Sequence, residues 1–191
     1  MHDEHDTDRR SHTSRRAVLA AAGALSVGML AGCSSDGSSA EDSESGGGGD
    51  AQAEGGWRTV EMTDVRNGET FTVESFEKPV VLETFAVWCP KCERQQRQLT
   101  DLDDSVAVVS VNTDPNEDAE AVRQHAEDNG FDWRYVVAST TMTESLIEAF
   151  GTTVTNAPST PVIVACPGGG ATFTSGEIRS PAAILDTAAG C

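Results

Sequence analysis

The sequence predicts an α/β fold: a central mixed β-sheet flanked by helices on both faces, with a β-hairpin extension at its N-terminal side. Three observations carry this. Two short apolar runs, residues 79–87 and 105–112 (Val106, Val108, Val109, Val111), have the length and β-branched content of strands buried on both faces. Helix-compatible polar stretches with recognisable start and stop residues alternate with such runs. Two turn signals, Asn67-Gly68 and Gly168-Gly169-Gly170, sit where antiparallel partners would meet.

Along the chain, residues 1–33 read as an export signal. A polar leader ends in Ser14-Arg15-Arg16, and an apolar stretch follows from 17 to 31. That stretch falls short of the ~20 apolar residues a bilayer span needs. The paired arginines resemble a twin-arginine address, although Ala17-Val18 stands where that pattern prefers a bulkier residue. Leu30-Ala31-Gly32-Cys33 resembles a lipobox, with Cys33 as the lipidated residue; the alternative is an ordinary signal with a chance cysteine. Residues 34–56 are Ser, Gly, Ala and acidic residues with a four-glycine run, a tether with a reach on the order of 25 Å.

Residues 57–191 suffice for one domain with one core. Strands are expected at 57–65 and 70–76, joined through Asn67-Gly68 as a hairpin. A buried strand at 79–87 leads into a helix at 90–102, with Pro90 at the first turn where proline is tolerated. A second buried strand, 105–112, lies beside the first through a right-handed crossover. A helix at 116–129 closed by Gly130, a strand at 133–137 and a helix at 142–150 ended by Gly151 form an insert. Strands at 161–166 and 171–175 and a helix from Ser180-Pro181 to 189 complete the domain. A reaction site belongs at the carboxyl end of the buried strands.

Trp88-Cys89-Pro90-Lys91-Cys92 occupies that place. A cysteine that caps a helix faces free N–H groups and the positive end of the helix dipole, which can lower its pKa from about 8.5 to roughly 3.5–7.5. Cys89 is therefore the candidate nucleophile and Cys92 its resolving partner, closing a redox disulfide. Lys91 adds a positive charge alongside. The rival is half of a four-cysteine zinc site completed by Cys166 and Cys191, but no second C-x-x-C or histidine pair supports it.

The composition narrows the partners. Asp plus Glu number 31 against 13 Lys plus Arg, a formal net charge of -18, and the lysines are Lys78 and Lys91 alone. Such a surface repels nucleic acid and anionic membrane. It resembles that of halophiles, with an acidic mesophilic secreted protein as the alternative. His125 falls in a predicted surface helix far from Cys89, which argues against a Cys–His dyad. Asp114, Glu117, Asp118 and Glu120 read as a solvated, helix-capping acidic face.

The strand entering Trp88-Cys89-Pro90-Lys91-Cys92, the Val-rich strand ending in Val111-Asn112-Thr113-Asp114, the insert after it, and Thr160-Pro161-Val162-Ile163-Val164 before a glycine turn together resemble the thioredoxin superfamily. Within it they are similar to the TlpA/ResA-like extracytoplasmic thiol–disulfide oxidoreductases. Many members carry Cys-x-Pro-Cys where this chain has Lys91. The resemblance implies a thioredoxin-like fold and protein-disulfide oxidoreductase activity, acting as a reductant for exported proteins such as apocytochrome c. It implies Glu83 as a buried acid that assists deprotonation of Cys92; the residues alone leave open an outward-facing carboxylate. It also implies a cis-proline at Pro161, facing the dithiol, with Thr160 presenting backbone groups to substrate. Trp88, Pro90 and Lys91 would join Thr160 in contacting the partner, although Trp88 could equally be a core residue. A membrane electron-donor protein is the implied upstream partner. Neither a cofactor nor a resident metal is expected.

Cys166 and Cys191 remain. The strand from Pro161 and the final helix both run away from the dithiol, so both cysteines should finish at the far end of the domain. A structural disulfide between them is expected in an oxidising, exported setting; the alternative is two separate thiols. Two other activities stay in view. A peroxiredoxin-like peroxidase lacks its Thr-x-x-Cys pattern here, since Ala86-Val87-Trp88 precede Cys89. A copper-delivery protein would need a suitably placed histidine.

Overall fold

The computed structural model describes residues 56–191; the signal, Cys33 and the tether up to residue 55 lie outside the described residues. Seven strands and four α-helices follow in order: β1 (Met62–Thr63), β2 (Thr70–Phe71), β3 (Val80–Phe85), α1 (Pro90–Leu99), β4 (Ala107–Asn112), α2 (Ala119–Asn129), β5 (Arg134–Val137), α3 (Thr140–Phe150), β6 (Val162–Ala165), β7 (Ala171–Thr174) and α4 (Pro181–Ala189). Strands β3 to β7 form one sheet in the order β5-β4-β3-β6-β7. β3 is central, parallel to β4 and antiparallel to β6. Every residue of β3 is buried, which accounts for its continuous apolar reading.

Alternation along the strands sorts the core into two layers. Val80, Leu82, Val109, Val111 and Ile163 pack with Met142 and Leu146 of α3 and with Trp57, Met62 and Val73 of the N-terminal segment. On the other face Val81, Val162 and Val164 meet Leu99 of α1 and Ile184 and Ala188 of α4. Phe85 and Tyr135 meet Val122 and Ala126 of α2 on that side, together with Cys89 and Cys92.

Local chemistry starts and stops the helices. Asp118, Ser139 and Ser180 each cap a helix by accepting a backbone N–H three residues on. Gly130, at φ 70°, ends α2 in the left-handed conformation that glycine enters without penalty.

The N-terminal hairpin differs from the expectation. Its strands shrink to two residues each, and residues 64–69 form the connection, with Met62 opposite Phe71. Asp64 makes the turn: its carboxylate accepts from Arg66 N–H and its carbonyl from Gly68 N–H. Trp57 enters a short 3₁₀ turn, Gly56–Arg58, rather than a strand. There it packs edge-on against Phe150 of α3, at 5.4 Å between ring centroids. Burying the indole under a helix displaces the local preference for extended chain. Two further 3₁₀ turns, Thr152–Thr155 and Ala157–Ser159, occupy the stretch before β6 that the sequence left unassigned.

Candidate active site

β3 ends at Phe85, and three residues later the chain turns into α1. Cys89 is the N-cap of α1 and Pro90 its first residue. The Cys89 Sγ accepts the Cys92 N–H at 3.2 Å, so the sulfur sits on the unpaired donors of the helix start. The two cysteines are bonded to each other, with 5.3 Å between their Cα atoms. Both are almost wholly buried in this oxidised form. The Cys92 sulfur lies 3.1 Å from the carbonyl oxygen of Ala157 in the 3₁₀ turn before β6.

The approach to Cys89 is fixed from the side. The Glu117 carboxylate accepts the Val87 N–H at 2.8 Å, the Trp88 N–H at 3.3 Å and the Asn112 side-chain amide at 2.5 Å. The sequence places Glu117 on a solvated, helix-capping face; in the structure it holds the loop that carries the dithiol. Trp88 is 59% exposed, which removes the core reading. Its indole N–H donates to Asp114 at 2.5 Å, and this bond is the largest cause holding the Asp114 carboxyl below its usual range. Trp88 borders an open cleft of about 350 Å³, walled by Ala86, Thr113, Pro115, Ala157 and Pro158. Pro90 is exposed and Lys91 half-buried; the Lys91 ammonium donates to the Gly176 carbonyl.

The expected cis-proline is corrected: no peptide bond among the described residues is cis, and Thr160–Pro161 is trans. The chain reverses at Thr160 itself, at φ 48° and ψ 62°. A β-branched residue in this left-handed region costs about 1–2 kcal/mol. The cost is offset by bonds from Thr160 N–H to Ala157 and from its hydroxyl to Glu177. Thr160 is fully buried with both donors engaged internally, so it does not offer backbone to a partner in this form. Pro161 is buried, and its carbonyl accepts the Thr84 N–H of β3.

Glu83 points to the α1 side of the sheet and is fully buried. Its Oε2 accepts from the Ser110 hydroxyl at 3.2 Å, which in turn accepts the Trp133 indole N–H at 2.9 Å. Burial pushes the Glu83 carboxyl up to about 8, opposed by hydrogen bonding from Gln96 and Ser110. The Gln96 approach is looser than a formed bond, since Glu83 Oε1 and Gln96 Nε2 are both left without a partner. His125 is a second correction. It is buried rather than on the surface, 8% exposed, stacked on Phe85 at 5.4 Å, with Nε2 2.7 Å from Gln96 Oε1. Its helix shows one buried stripe, and a lone histidine on that stripe gave no signal by itself.

The Glu83 shift has a thermodynamic sign. The folded protein keeps, up to about pH 8, a proton that an unperturbed carboxyl releases near 4.5. Its contribution to stability is complete below the lower value and is lost as pH rises through the upper one. In that window stability falls by up to about 1.4 kcal/mol per pH unit. Denaturant unfolding between about pH 5 and 8 should show the Glu83→Gln variant without this component. A slope equal to that of the wild type would mean that the carboxyl titrates normally.

Cys166 and Cys191 are bonded, at 5.2 Å between Cα atoms. Ala165 pairs with Val80, the first residue of β3, so this bond lies at the opposite end of the sheet from Cys89. The four cysteines therefore cannot converge on one zinc ion.

The Redoxin family pattern matches residues 55–167. No curated protein sequence matches the chain. Among solved structures, an Aquifex aeolicus VF5 protein described as a putative electron transfer protein is 17% identical, with TM-score 0.57 over 72% of this chain and 93% of its own. A secreted Mycobacterium tuberculosis disulfide oxidoreductase, described as homologous to Escherichia coli DsbE, is 16% identical, with TM-score 0.52 over 68% and 97%. StoA from Bacillus subtilis is 19% identical, with TM-score 0.52 over 67% and 95%.

Proposed function

The chain belongs to the Redoxin family and has a thioredoxin-like fold, and from that premise we propose that it is a thiol–disulfide oxidoreductase acting as a reductant on exported proteins. One observation carries the reading: a C-x-x-C pair whose first sulfur caps α1 and accepts the N–H of the second cysteine. That environment favours a thiolate at Cys89 over one at Cys92.

In the reductive direction the Cys89 thiolate attacks a disulfide of the client. The client S–S bond breaks, one client sulfur leaves as thiolate, and a Cys89–client mixed disulfide forms. The Cys92 thiol gives its proton to the Glu83 carboxylate. The Cys92 thiolate then attacks Cys89 Sγ, expels the second client thiolate and closes the Cys89–Cys92 bond. The client gains two electrons, the protein loses two, and a membrane dithiol donor restores the reduced pair. Burial, which raises the Glu83 carboxyl to about 8, makes it a far better proton acceptor for the thiol than an ordinary carboxylate. The Ala157 carbonyl receives the Cys92 S–H in the reduced state, and the cleft beside Trp88 takes the client segment.

The paired arginines and apolar stretch of residues 15–31, the lipobox-like Leu30-Ala31-Gly32-Cys33 and the Ser-, Gly- and acid-rich composition of 34–56 support a domain held through lipid on Cys33 at the outer face of the cell membrane. The acidic, lysine-poor composition supports work at high salt, where carboxylates keep a protein hydrated. An apocytochrome c is a suitable client, since its paired cysteines form the kind of disulfide that the dithiol would reduce.

The reduction potential of the Cys89–Cys92 couple, with reduction of a disulfide-bonded peptide, tests the direction. A value near the reducing end of the superfamily, about −270 mV, with peptide reduction supports the proposal. A value near about −120 mV, with oxidation of a reduced peptide, replaces reductant by oxidant.

A further inference from the structure

Of the six buried polar side-chain atoms that lack a partner among the described residues, four belong to one layer behind the dithiol: Glu83 Oε1, Gln96 Nε2, Asn112 Oδ1 and Tyr135 Oη. Buried polar groups are otherwise paired almost without exception, so a cluster of them marks a place held for chemistry. Gln96 is its hinge. It lies one helical turn beyond Cys92 on the buried face of α1, between Glu83 of β3 and His125 of α2.

A glutamine amide has two unlike ends, an acceptor oxygen and a donor nitrogen. When a neighbour takes one end, the other faces the opposite way. The His125 ring occupies the oxygen, with Nε2 2.7 Å from Oε1. We propose that His125 is a positioning residue for the buried acid: its Nε2–H fixes the Gln96 amide so that the nitrogen end is kept toward Glu83. This deepens the role given above to Glu83 and rests on it. The amide then stabilises the carboxylate and gives no acceptor to the protonated acid. Without His125 the amide can turn over, offer its oxygen to the carboxylic O–H, and hold the proton on Glu83 when Cys92 needs to lose one.

The setting keeps the imidazole in place and disfavours its charge. Phe85 stacks on it, and Phe131 and Tyr135 stand at 6.0 and 6.2 Å. Burial lowers its pKa, opposed by Glu93 of α1, Glu117 of the dithiol clamp and Asp128 of α2. Tyr135 of β5 is held neutral by burial, and Arg97 of α1 lies over the Phe131 ring. As the neutral Nε2–H tautomer, which a bond to Gln96 Oε1 selects, or as the imidazolium, Nε2 carries a hydrogen and the same amide orientation follows.

The experiment follows the Glu83 carboxyl by ¹³C NMR through a pH titration of the oxidised protein. It compares wild type, His125→Phe, which keeps an aromatic ring on Phe85, Gln96→Met and the double variant. Each single substitution should raise the Glu83 midpoint by about one pH unit, equivalent to a tenfold change in the proton equilibrium. The double variant should shift no further than either alone, because His125 acts only through Gln96. His125→Gln, which restores an amide N–H, should return the midpoint toward the wild-type value. An unmoved midpoint in Gln96→Met, or additive shifts in the double variant, overturns the proposal, and Gln96→Met decides the matter should His125→Phe fail to fold. The pH dependence of release from a Cys89 mixed disulfide is read separately. If Glu83→Gln leaves that profile intact, the catalytic role of Glu83 fails, while the NMR result still stands or falls alone.

Discussion

Replacing Cys92 by Ser should turn the protein into a trap that accumulates covalent adducts with its clients, one per molecule, whereas Cys89→Ser should form none. The asymmetry follows from the helix start. In Cys92→Ser the backbone N–H of residue 92 still reaches the Cys89 sulfur, so the attacking thiolate keeps its stabilisation. The adduct forms at the wild-type rate but lacks the internal thiolate that would expel the client. In Cys89→Ser the remaining thiol does not cap the helix start, has no N–H donor from it, and faces the Ala157 carbonyl. Turnover falls to background in both variants, so turnover does not separate the roles; adduct formation on non-reducing gels does. Equal trapping by both variants, or trapping by Cys89→Ser alone, would reverse nucleophile and resolver.

The pairing of β3 with β4, the C-terminal hairpin and the place of the dithiol are legible in the sequence because they depend on strong local signals. The β3 and β4 runs are mostly apolar and rich in valine, Pro90 and the capping residues fix helix starts, and one crossover rule places β4 beside β3. What was not legible depends on pairs of residues far apart in sequence. Glu117 reads as one acidic residue among several until the fold places it 2.8 Å from the Val87 amide, thirty positions away. His125 and Gln96 are unremarkable until α1 and α2 meet over Phe85. The N-terminal hairpin forms, but with two-residue strands, for a related reason. Asn67-Gly68 lies in the connection, but the bonds that Asp64 makes and the distant contact of Trp57 end the strand pairing after two residues. The turn at Thr160 is the sharpest case. Family resemblance suggested a cis bond to Pro161, while the chain makes the reversal through an unfavourable φ secured by bonds to residues 157 and 177.

The clamp and the buried layer divide the work at one cysteine pair. Glu117 and Asp114 act from the solvent side, on the loop and on Trp88, where they shape the surface a client meets. In the proposed mechanism Glu83, Ser110, Gln96 and His125 act from the core side, where the proton of Cys92 goes. A carboxylate outside and, inside, a carboxyl that exchanges its proton near pH 8 are compatible because the first is solvated and the second is not.

Removing the disulfide at the other end of the sheet should cost stability and leave the dithiol unchanged. The Cys166–Cys191 bond closes a loop with a sequence separation of 25. Loop-closure entropy then predicts a loss of about 3.5 kcal/mol for the Cys166→Ser/Cys191→Ser variant. For a domain of this size that lowers the melting temperature by roughly 10–15 °C. Replacing both cysteines avoids a leftover thiol that could attack Cys89–Cys92. The helix α4 still buries Ile184 and Ala188 on Val162 and Val164, and Gln95 still holds the backbone of Arg179 through both ends of its amide. The folded state therefore survives, and the cost falls on the unfolded chain, which regains its freedom. The Cys89–Cys92 potential should stay at the wild-type value, because Cys166 follows Ala165 opposite Val80 while Cys89 lies beyond Phe85. A melting shift below about 3 °C would mean that the unfolded chain is already compact in this region, and a moved potential would mean that the two ends of β3 are coupled.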